Sequence, residues 1–163
     1  MSAINVLGDE VDLVKKYTAC VSGHRRAYDN ILESDVREKF VYLIEKGYDT
    51  FLVGMAVGFD LYCFKILRKL KEEYNFRIIA CVPCKKQDEK FNKEQKKEYK
   101  KALENADDVI LVSKEYTPYC MLKRNRFMVD NSTALVCYIR QNSGGTKYTL
   151  DYAKRKNLEI IKV

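Results

Sequence analysis

Six short apolar segments recur along the chain, and a polar or glycine-bearing stretch follows each of the first five. Runs of this length that are rich in Val, Ile, Phe and Cys and bounded by turn residues predict buried β-strands. The predicted strands are residues 18–21, 51–53, 77–82, 109–112, 134–139 and 158–163.

Between these strands, apolar residues repeat at the three- to four-residue spacing of amphipathic helices. Ser34 stands where an N-cap residue belongs, and Gly47 stands where a helix ends, so we expect a helix between them. A lysine-rich helix follows Pro83, with Phe91 and Tyr99 on its inner face. Further helices are expected over residues 61–74, 120–131 and 147–156.

Strands that alternate with helices at this spacing pair in parallel through right-handed crossovers. The predicted fold class is therefore α/β, a Rossmann-like three-layer sandwich with a mostly parallel sheet of about six strands and helices on both faces. We expect residues 1–163 to form one such domain, with residues 1–16 as an N-terminal extension that fits a short helix or an edge strand. Ligands of such folds bind beyond the carboxyl ends of the strands.

Polar segments follow five of the predicted strands and should meet at that edge of the sheet. They are residues 23–25, 54–60, 83–84, 113–119 and 143–146. The last segment contains Gly144 and Gly145 between a strand and a helix, where free backbone N–H groups and a positive helix end attract an anion. We therefore expect phosphate binding there. The structural alternative is a tight turn with Thr146 as the N-cap.

The segment 54–60 offers a second candidate contact with a ligand. Gly54 and Gly58 either approach a ligand closely or permit close packing between a helix and a strand. Asp60 is either a helix N-cap or a partner for ribose hydroxyls. Arg25 supplies a cation beside the only histidine, His24, which is either a structural hydrogen-bonding residue or part of the site.

The charge balance is basic, with 30 Lys and Arg against 23 Asp and Glu and a net charge of +7. Such a balance favours phosphate-bearing partners, both nucleotides and nucleic acids. Residues 85–101 contain eight lysines, which form either a solvated helix face or a nucleic-acid surface. No apolar run reaches membrane-spanning length and the N-terminus does not fit a signal peptide, so we expect a cytoplasmic protein without a membrane partner.

Six cysteines lie mostly in apolar segments, where a reduced thiol packs as a small hydrophobe. Cys81 and Cys84 have a Cys-x-x-Cys spacing, but a zinc site needs two further ligands and no second pair is present. We therefore expect a structural role for this pair, and neither a metal nor a cofactor. A single histidine is also poor support for a catalytic triad.

Several short motifs occur in a fixed order from Thr18 to the end of the chain. They are Gly23-His24-Arg25, the loop 54–60, Gln87, Tyr99, Ala106-Asp107, Met121 with Arg124-Asn125, Phe127-Met128-Val129-Asp130, and Gly144-Gly145-Thr146 with Tyr152-Ala153. As a set they resemble the SLOG superfamily, the Rossmann-like group that contains the DprA proteins and the LOG nucleotide hydrolases. The similarity is greater to its small YpsA/YoqJ-type branch.

The resemblance implies that the glycine loops bind a nucleotide or a nucleotide-derived ligand such as an ADP-ribose-like molecule. The LOG enzymes cleave the N-glycosidic bond of nucleoside 5′-monophosphates with a glutamate. In this sequence Thr149 falls at that position, and Asn125 stands where those enzymes have a lysine. Threonine neither stabilises an oxocarbenium-like state nor activates water, which leaves Asp60 and Asp130 as weak candidates for a catalytic carboxylate.

These observations favour a ligand-binding module with a sensing or signalling role. The predicted ligand-binding residues are Gly23, His24, Arg25, Gly54, Ala56, Gly58, Asp60, Arg124, Asn125, Ser143, Gly144, Gly145 and Thr146. One alternative is a nucleoside 5′-monophosphate N-glycosidase (phosphoribohydrolase) with a relocated carboxylate. The other is a single-stranded DNA-binding protein that uses the lysine-rich face, with Tyr116 or Tyr119 available to stack on a base. Analogy with related folds also suggests a homodimer.

Overall fold

The computed structural model describes residues 2–26 and 31–163. The strands are β1 (Ser2–Ile4), β2 (Glu10–Asp12), β3 (Thr18–Gly23), β4 (Thr50–Val53), β5 (Arg77–Val82), β6 (Asp108–Leu111), β7 (Ala134–Tyr138) and β8 (Glu159–Lys162). Strands β3 to β8 form one sheet in the order β6-β5-β4-β3-β7-β8, and all its neighbouring strands are parallel. The predicted six-stranded parallel sheet is therefore confirmed.

Helices cover both faces of this sheet, as predicted. They are α1 (Glu33–Glu45), α2 (Phe59–Leu70), α3 (Lys93–Asn105), α4 (Cys120–Asp130) and α5 (Gly145–Arg155). Side chains alternate across each strand, so Ala19 and Val21 pack in the core under α1 to α3, whereas Cys20 packs in the core under α4 and α5. Both faces of the central strands are buried, which explains why their sequences are apolar throughout.

The direction of chain progression reverses between β3 and β7. From β3 the chain adds β4, β5 and β6 on one side, and it then returns to add β7 and β8 on the other side. The carboxyl ends of β3 and β7 therefore flank a topological switch point, where a crevice opens in folds of this class. The paired register runs from Ala19 opposite Ala134 to Gly23 opposite Tyr138, so both strands end at the same level.

The N-terminal segment forms an antiparallel hairpin of β1 and β2, and a single 3₁₀ turn over Lys15–Tyr17 leads from it into β3. The backbone N–H of Val6 donates to the Val109 carbonyl at 2.8 Å, which holds the hairpin beside the edge strand β6. Val11 and Leu13 are buried in the same core as α4 and α5. Of the two expectations for this segment, the structure supports an extended arrangement at the sheet edge.

Two predicted helix starts were wrong. Leu32 occupies the N-cap position of α1 without a side-chain cap, so Ser34 lies inside the first turn. The lysine-rich helix begins only at Lys93, because Asn92 caps it through a reciprocal capping box with Gln95. Phe91 therefore precedes the helix, although its ring still packs edge-on against Tyr99 with centroids 5.5 Å apart.

All six cysteines are buried, and none of them forms a disulfide. Burial raises the pKa of the Cys20 and Cys81 thiols to about 12, which makes them poor nucleophiles at neutral pH. Within the described ranges, no group of three or more metal-ligating side chains lies together. No helix in those same ranges combines the length and apolar character that crossing a membrane requires.

The capping box of α3 gives a direct test of the helix start. We expect Asn92→Ala to lower the free energy of unfolding by about 1 kcal/mol, because the N–H of Gln95 loses its acceptor. Urea unfolding followed by circular dichroism measures this change. Ser34→Ala is the matched control, since Ser34 caps nothing, and its change should stay within about 0.5 kcal/mol. Equal losses in the two variants would contradict this assignment.

Candidate functional site

A cavity of about 390 Å³ opens at the switch point, beyond the carboxyl ends of β3 and β7. Its walls come from the end of β3, the loop before α2, the first turns of α4 and the loop between β7 and α5. The lining residues are Val21, Ser22, Gly23, His24, Arg25, Ala56, Asp60, Met121, Leu122, Arg124, Asn125, Gln141, Ser143, Gly144, Gly145 and Thr146.

Every predicted ligand-binding residue lines this cavity except Gly54 and Gly58. Sequence reasoning missed the apolar side chain of Leu122 and the polar side chain of Gln141. Gln141 lies between the predicted strand 134–139 and the polar segment 143–146, so the loop itself carried a usable signal. Leu122 had no such signal, because its exposure to the cavity depends on how α4 is rotated.

Three glycines near the cavity are required for internal packing. A Cβ on Gly23 would collide with the ring of Phe59, and one on Gly54 would lie 2.7 Å from Nη1 of Arg124. A Cβ on Gly58 would lie 2.5 Å from the backbone oxygen of Arg25. Gly58 also has a φ of +91° at the N-cap of α2, a conformation that favours glycine. These contacts hold the loop after β3 against the loop after β4.

The glycines at the start of α5 differ from those three. Beyond the adjacent residues and the backbone of its own helix, a Cβ on Gly144 or on Gly145 would meet no atom of the described residues within 4 Å. Gly144 has a φ of +92°, which accounts for glycine at the N-cap. Gly145 has neither a positive φ nor a packing neighbour in that direction, so its missing side chain leaves empty space at the cavity wall.

Arg124 projects from α4 beneath the cavity, and only 4% of its surface is exposed. Its Nη1 donates to the carbonyl oxygens of Gly54 and Cys81, and its Nε donates to Oδ1 of Asn125 at 2.8 Å. Gly54 directly follows β4, and Cys81 lies near the end of the neighbouring strand β5. One guanidinium therefore joins α4 to two strand ends. Among the described residues, Nη2 has no acceptor and remains available to a ligand.

Asp60 lies in the first turn of α2, where 6% of its surface is exposed. Its Oδ2 accepts the backbone N–H of Ala56 at 3.2 Å. Burial raises the pKa of the Asp60 carboxyl to about 6, and the charge of Arg124 and the Ala56 N–H oppose that rise. It was predicted as either an N-cap or a ribose partner, and the N-cap position is in fact held by Gly58.

The raised pKa of Asp60 determines how its charge affects stability. Because the folded-state pKa lies above the ordinary 3.8, the contribution of Asp60 to stability is complete below pH 3.8 and is lost as the pH rises through about 6. At neutral pH the ionised carboxylate therefore destabilises the folded state. Carboxylates of this kind concentrate at binding and catalytic sites rather than at purely structural positions.

His24 joins the loop after β3 to the loop after β7. Its Nε2 accepts the backbone N–H of Arg140 at 2.8 Å and that of Gln141 at 3.3 Å. The ring also packs edge-on against Tyr138, with centroids 5.8 Å apart. His24 thus positions the start of the β7–α5 loop by accepting hydrogen bonds, and it can do so only as the neutral imidazole.

Arg25 is exposed at the rim of the cavity. Its Nη2 lies 3.0 Å from the sulfur of Met121, a weak acceptor that leaves the guanidinium free to bind an anion. The positive end of α5 lies on the same cavity, where Gly144 and Gly145 expose backbone N–H groups at the first turn.

Thr149 and Asp130 are placed away from the cavity. Thr149 is buried within α5, and its hydroxyl donates to the Gly145 carbonyl at 2.8 Å. Asp130, at the far end of α4, accepts a hydrogen bond from the Tyr152 hydroxyl at 2.7 Å. Asp60 is therefore the one carboxylate among the described residues that line the cavity.

The fold and the site together define a Rossmann-like α/β protein with a ligand-sized cavity at its switch point. The YpsA family model, described as the YspA SLOG family, matches residues 15–161. This chain belongs to that family.

Two relatives span most of the chain. The SPbeta prophage-derived protein YoqJ of Bacillus subtilis strain 168 is 36% identical over 123 residues, which cover 66% of this chain and 71% of that protein. The UPF0398 protein BH1768 of Halalkalibacterium halodurans is 25% identical over 146 residues, which cover 87% of this chain and 77% of the relative.

Two solved structures share the fold. DNA processing protein A of Helicobacter pylori superposes with a TM-score of 0.66 at 14% identity, over 89% of this chain and 64% of that one. The Streptococcus pneumoniae protein of the same name superposes with a TM-score of 0.67 at 16% identity, over 89% of this chain and 49% of that one. This chain thus spans about half to two-thirds of their length, and the likeness extends to the fold alone.

The hydrogen bonds to His24 predict its titration. Burial and the nearby Arg140 cation lower the pKa of the imidazole, so a proton titration followed by NMR should show a midpoint below 6.5. This single histidine gives an unambiguous ring signal. Because the folded-state pKa is lowered, the contribution of His24 to stability is complete above pH 6.5 and decreases as the pH falls. A midpoint at or above 6.5 would contradict the two accepted N–H bonds.

Proposed function

We propose that the cavity binds a nucleotide or a nucleotide-derived ligand of ADP-ribose-like chemistry, and that the protein serves as a binding module in sensing or signalling. One observation carries the proposal. Gly145 lies at the first turn of α5 with open space where a Cβ would stand, and no internal contact requires a glycine there. A ligand group that closely approaches the helix N-terminus would explain the glycine, because any side chain there would block the approach.

A phosphate group fits the end of the cavity formed by the β7–α5 loop. The N–H groups of the first turn of α5 have no partners within their own helix, and the helix dipole favours an anion there. Arg25 at the rim and the free Nη2 of Arg124 at the floor supply two cations. The exposed guanidinium of Arg25 can bind a phosphate through two parallel hydrogen bonds, whereas Arg124 offers only its Nη2.

The rest of the ligand meets both polar and apolar groups. Asp60 has acceptor oxygens that suit ribose hydroxyls. Since Oδ1 of Asn125 already accepts from Arg124, the amide nitrogen of Asn125 remains to donate. Leu122, which is only partly buried, provides an apolar contact for a base or a second sugar.

The structural relatives are consistent with this chemistry. DNA processing protein A of Helicobacter pylori has a single-stranded DNA binding mode, and DNA and nucleotides both present phosphate groups. A cavity of about 390 Å³ accommodates a small ligand rather than a strand of several nucleotides. We therefore place a nucleotide-derived molecule in this cavity and keep single-stranded DNA as the alternative.

Substitution of Gly145 tests the proposal. We expect Gly145→Ala to lower the affinity for ADP-ribose or for a nucleoside monophosphate at least about tenfold, because the new methyl group occupies the ligand's approach to the helix end. Isothermal titration calorimetry measures the affinity. The melting temperature of the unliganded protein should not fall, since the added Cβ meets no protein atom.

Gly23→Ala is the matched control for the stability measurement, because its Cβ would collide with the Phe59 ring. This variant should lose stability by about 1–3 kcal/mol. Binding by Gly145→Ala that equals binding by the unmodified protein would remove the main support for the proposal. The proposal would also fail if saturating ADP-ribose and nucleoside monophosphates left the melting temperature unchanged.

A second candidate function is cleavage of an N-glycosidic bond. Asp60 favours it, because a carboxyl with a pKa of about 6 can exchange a proton near neutral pH. If the protein is such an enzyme, free base should be released from a nucleoside 5′-monophosphate, and Asp60→Asn should abolish the release. Liquid chromatography of the reaction products measures this. Asp130→Asn is the control, since Asp130 lies outside the cavity and its loss should leave the rate unchanged.

A further inference from the structure

A second concavity lies far from the switch point, beside the edge strand β6. It has a volume of about 980 Å³ and lies between α3, β6 and the loop that joins β1 to β2. We refer to it as the basic groove. Its lining residues are Ile4, Asn5, Val6, Val82, Lys85, Asp88, Lys96, Tyr99, Lys100, Leu103, Val109, Leu111 and Lys114.

The floor of the basic groove is aliphatic. Leu103 comes from α3, and Val109 and Leu111 come from β6. On the hairpin side, Ile4 and Val6 remain 58% and 56% exposed, which is high for residues of this type. Contiguous exposed aliphatic side chains at a concave surface mark a site where a partner is bound.

Four lysines surround this floor. They are Lys85, Lys96, Lys100 and Lys114. None of the ion pairs among the described residues uses any of the four. Asp88 is the only acidic side chain among the described residues of the lining, so the groove presents an uncompensated positive charge.

The lysines are spread along the groove. Lys96 and Lys100 are one helical turn apart on α3, about 6 Å along its axis. Lys85 and Lys114 follow the carboxyl ends of β5 and β6. A ligand with a single anionic head would meet only part of this set, whereas a chain with several carboxylates would meet all of it.

We propose that the basic groove binds an acidic segment of a partner protein, whose aliphatic side chains occupy the floor while its carboxylates pair with the four lysines. Single-stranded nucleic acid fits less well, because it needs exposed aromatic rings for its bases. The one aromatic residue of the lining, Tyr99, is 5% exposed, and the exposed rings of Tyr116 and Tyr119 belong to the loop after Lys114, outside the lining. This proposal does not depend on the ligand of the cavity.

The test uses a fluorescein-labelled peptide of about ten residues that combines leucine and valine with glutamate, and fluorescence anisotropy measures its binding. We expect saturable binding. We also expect a loss of at least about tenfold when glutamine replaces glutamate, and again when serine replaces leucine and valine, because the groove has both a basic rim and an apolar floor.

Two charge-reversal variants locate the binding surface. Lys96→Glu with Lys100→Glu should weaken binding at least about tenfold, because both lysines line the groove. Lys97→Glu with Lys101→Glu makes the same change in net charge on the same helix, but outside the groove. Its effect should be clearly smaller than that of Lys96→Glu with Lys100→Glu, because neither Lys97 nor Lys101 lines the groove and salt screens charges that do not contact the peptide.

Three outcomes would overturn the proposal. The first is absence of peptide binding at millimolar concentration, and the second is an equal loss in the two double variants. The third is tighter binding of a labelled oligothymidylate than of the peptide, sensitive to Lys96→Glu with Lys100→Glu, which would assign the groove to nucleic acid. Failure here leaves the Gly145→Ala result unaffected, because the two surfaces share no lining residue.

Discussion

The carboxyl edge of the sheet depends on the buried guanidinium of Arg124. This group donates to carbonyls at the ends of β4 and β5 and to the side chain of Asn125, so it fixes α4 against two strands at once. A buried cation that loses its partners destabilises a protein by about 3–5 kcal/mol. The same constraint explains Gly54, since a Cβ there would lie 2.7 Å from Nη1 of Arg124 and 2.9 Å from Oδ2 of Asp60.

That constraint separates the glycines of the site into two kinds. Gly23, Gly54 and Gly58 let side chains and loops pack closely beneath the cavity, and the folded chain alone accounts for them. Gly145 faces open space, and the folded chain does not account for it. The proposal of a ligand therefore rests on the start of α5, while the other glycines explain how the walls hold their shape.

The sheet and the convergence of its loops could be predicted from sequence, because six apolar runs alternate with helices and parallel topology brings strand ends together. The hydrogen-bond partners of His24 and Arg124 could not, although a structural hydrogen-bonding role was one of the two alternatives for His24. Both depend on contacts with residues that are distant in sequence, such as the 116 positions between His24 and Arg140. The predictions of helix starts were wrong for a local reason. Serine and asparagine are equally good N-caps by residue type, yet Asn92 caps α3 while Ser34 lies inside the first turn of α1, and only the backbone geometry distinguishes the two cases.

The two concave surfaces differ in the physical origin of their affinity. Net charge pointed to phosphate-bearing partners, yet most of the lysine excess is remote from the cavity, and three of the eight lysines in residues 85–101 line the basic groove. The proposed anion binding at the cavity relies instead on backbone N–H groups, one helix dipole and two arginines, in a partly enclosed site where salt screens little. At the basic groove the charges are exposed, so salt weakens them. The basic composition is therefore an argument about a partner at the groove and carries little weight for the ligand of the cavity.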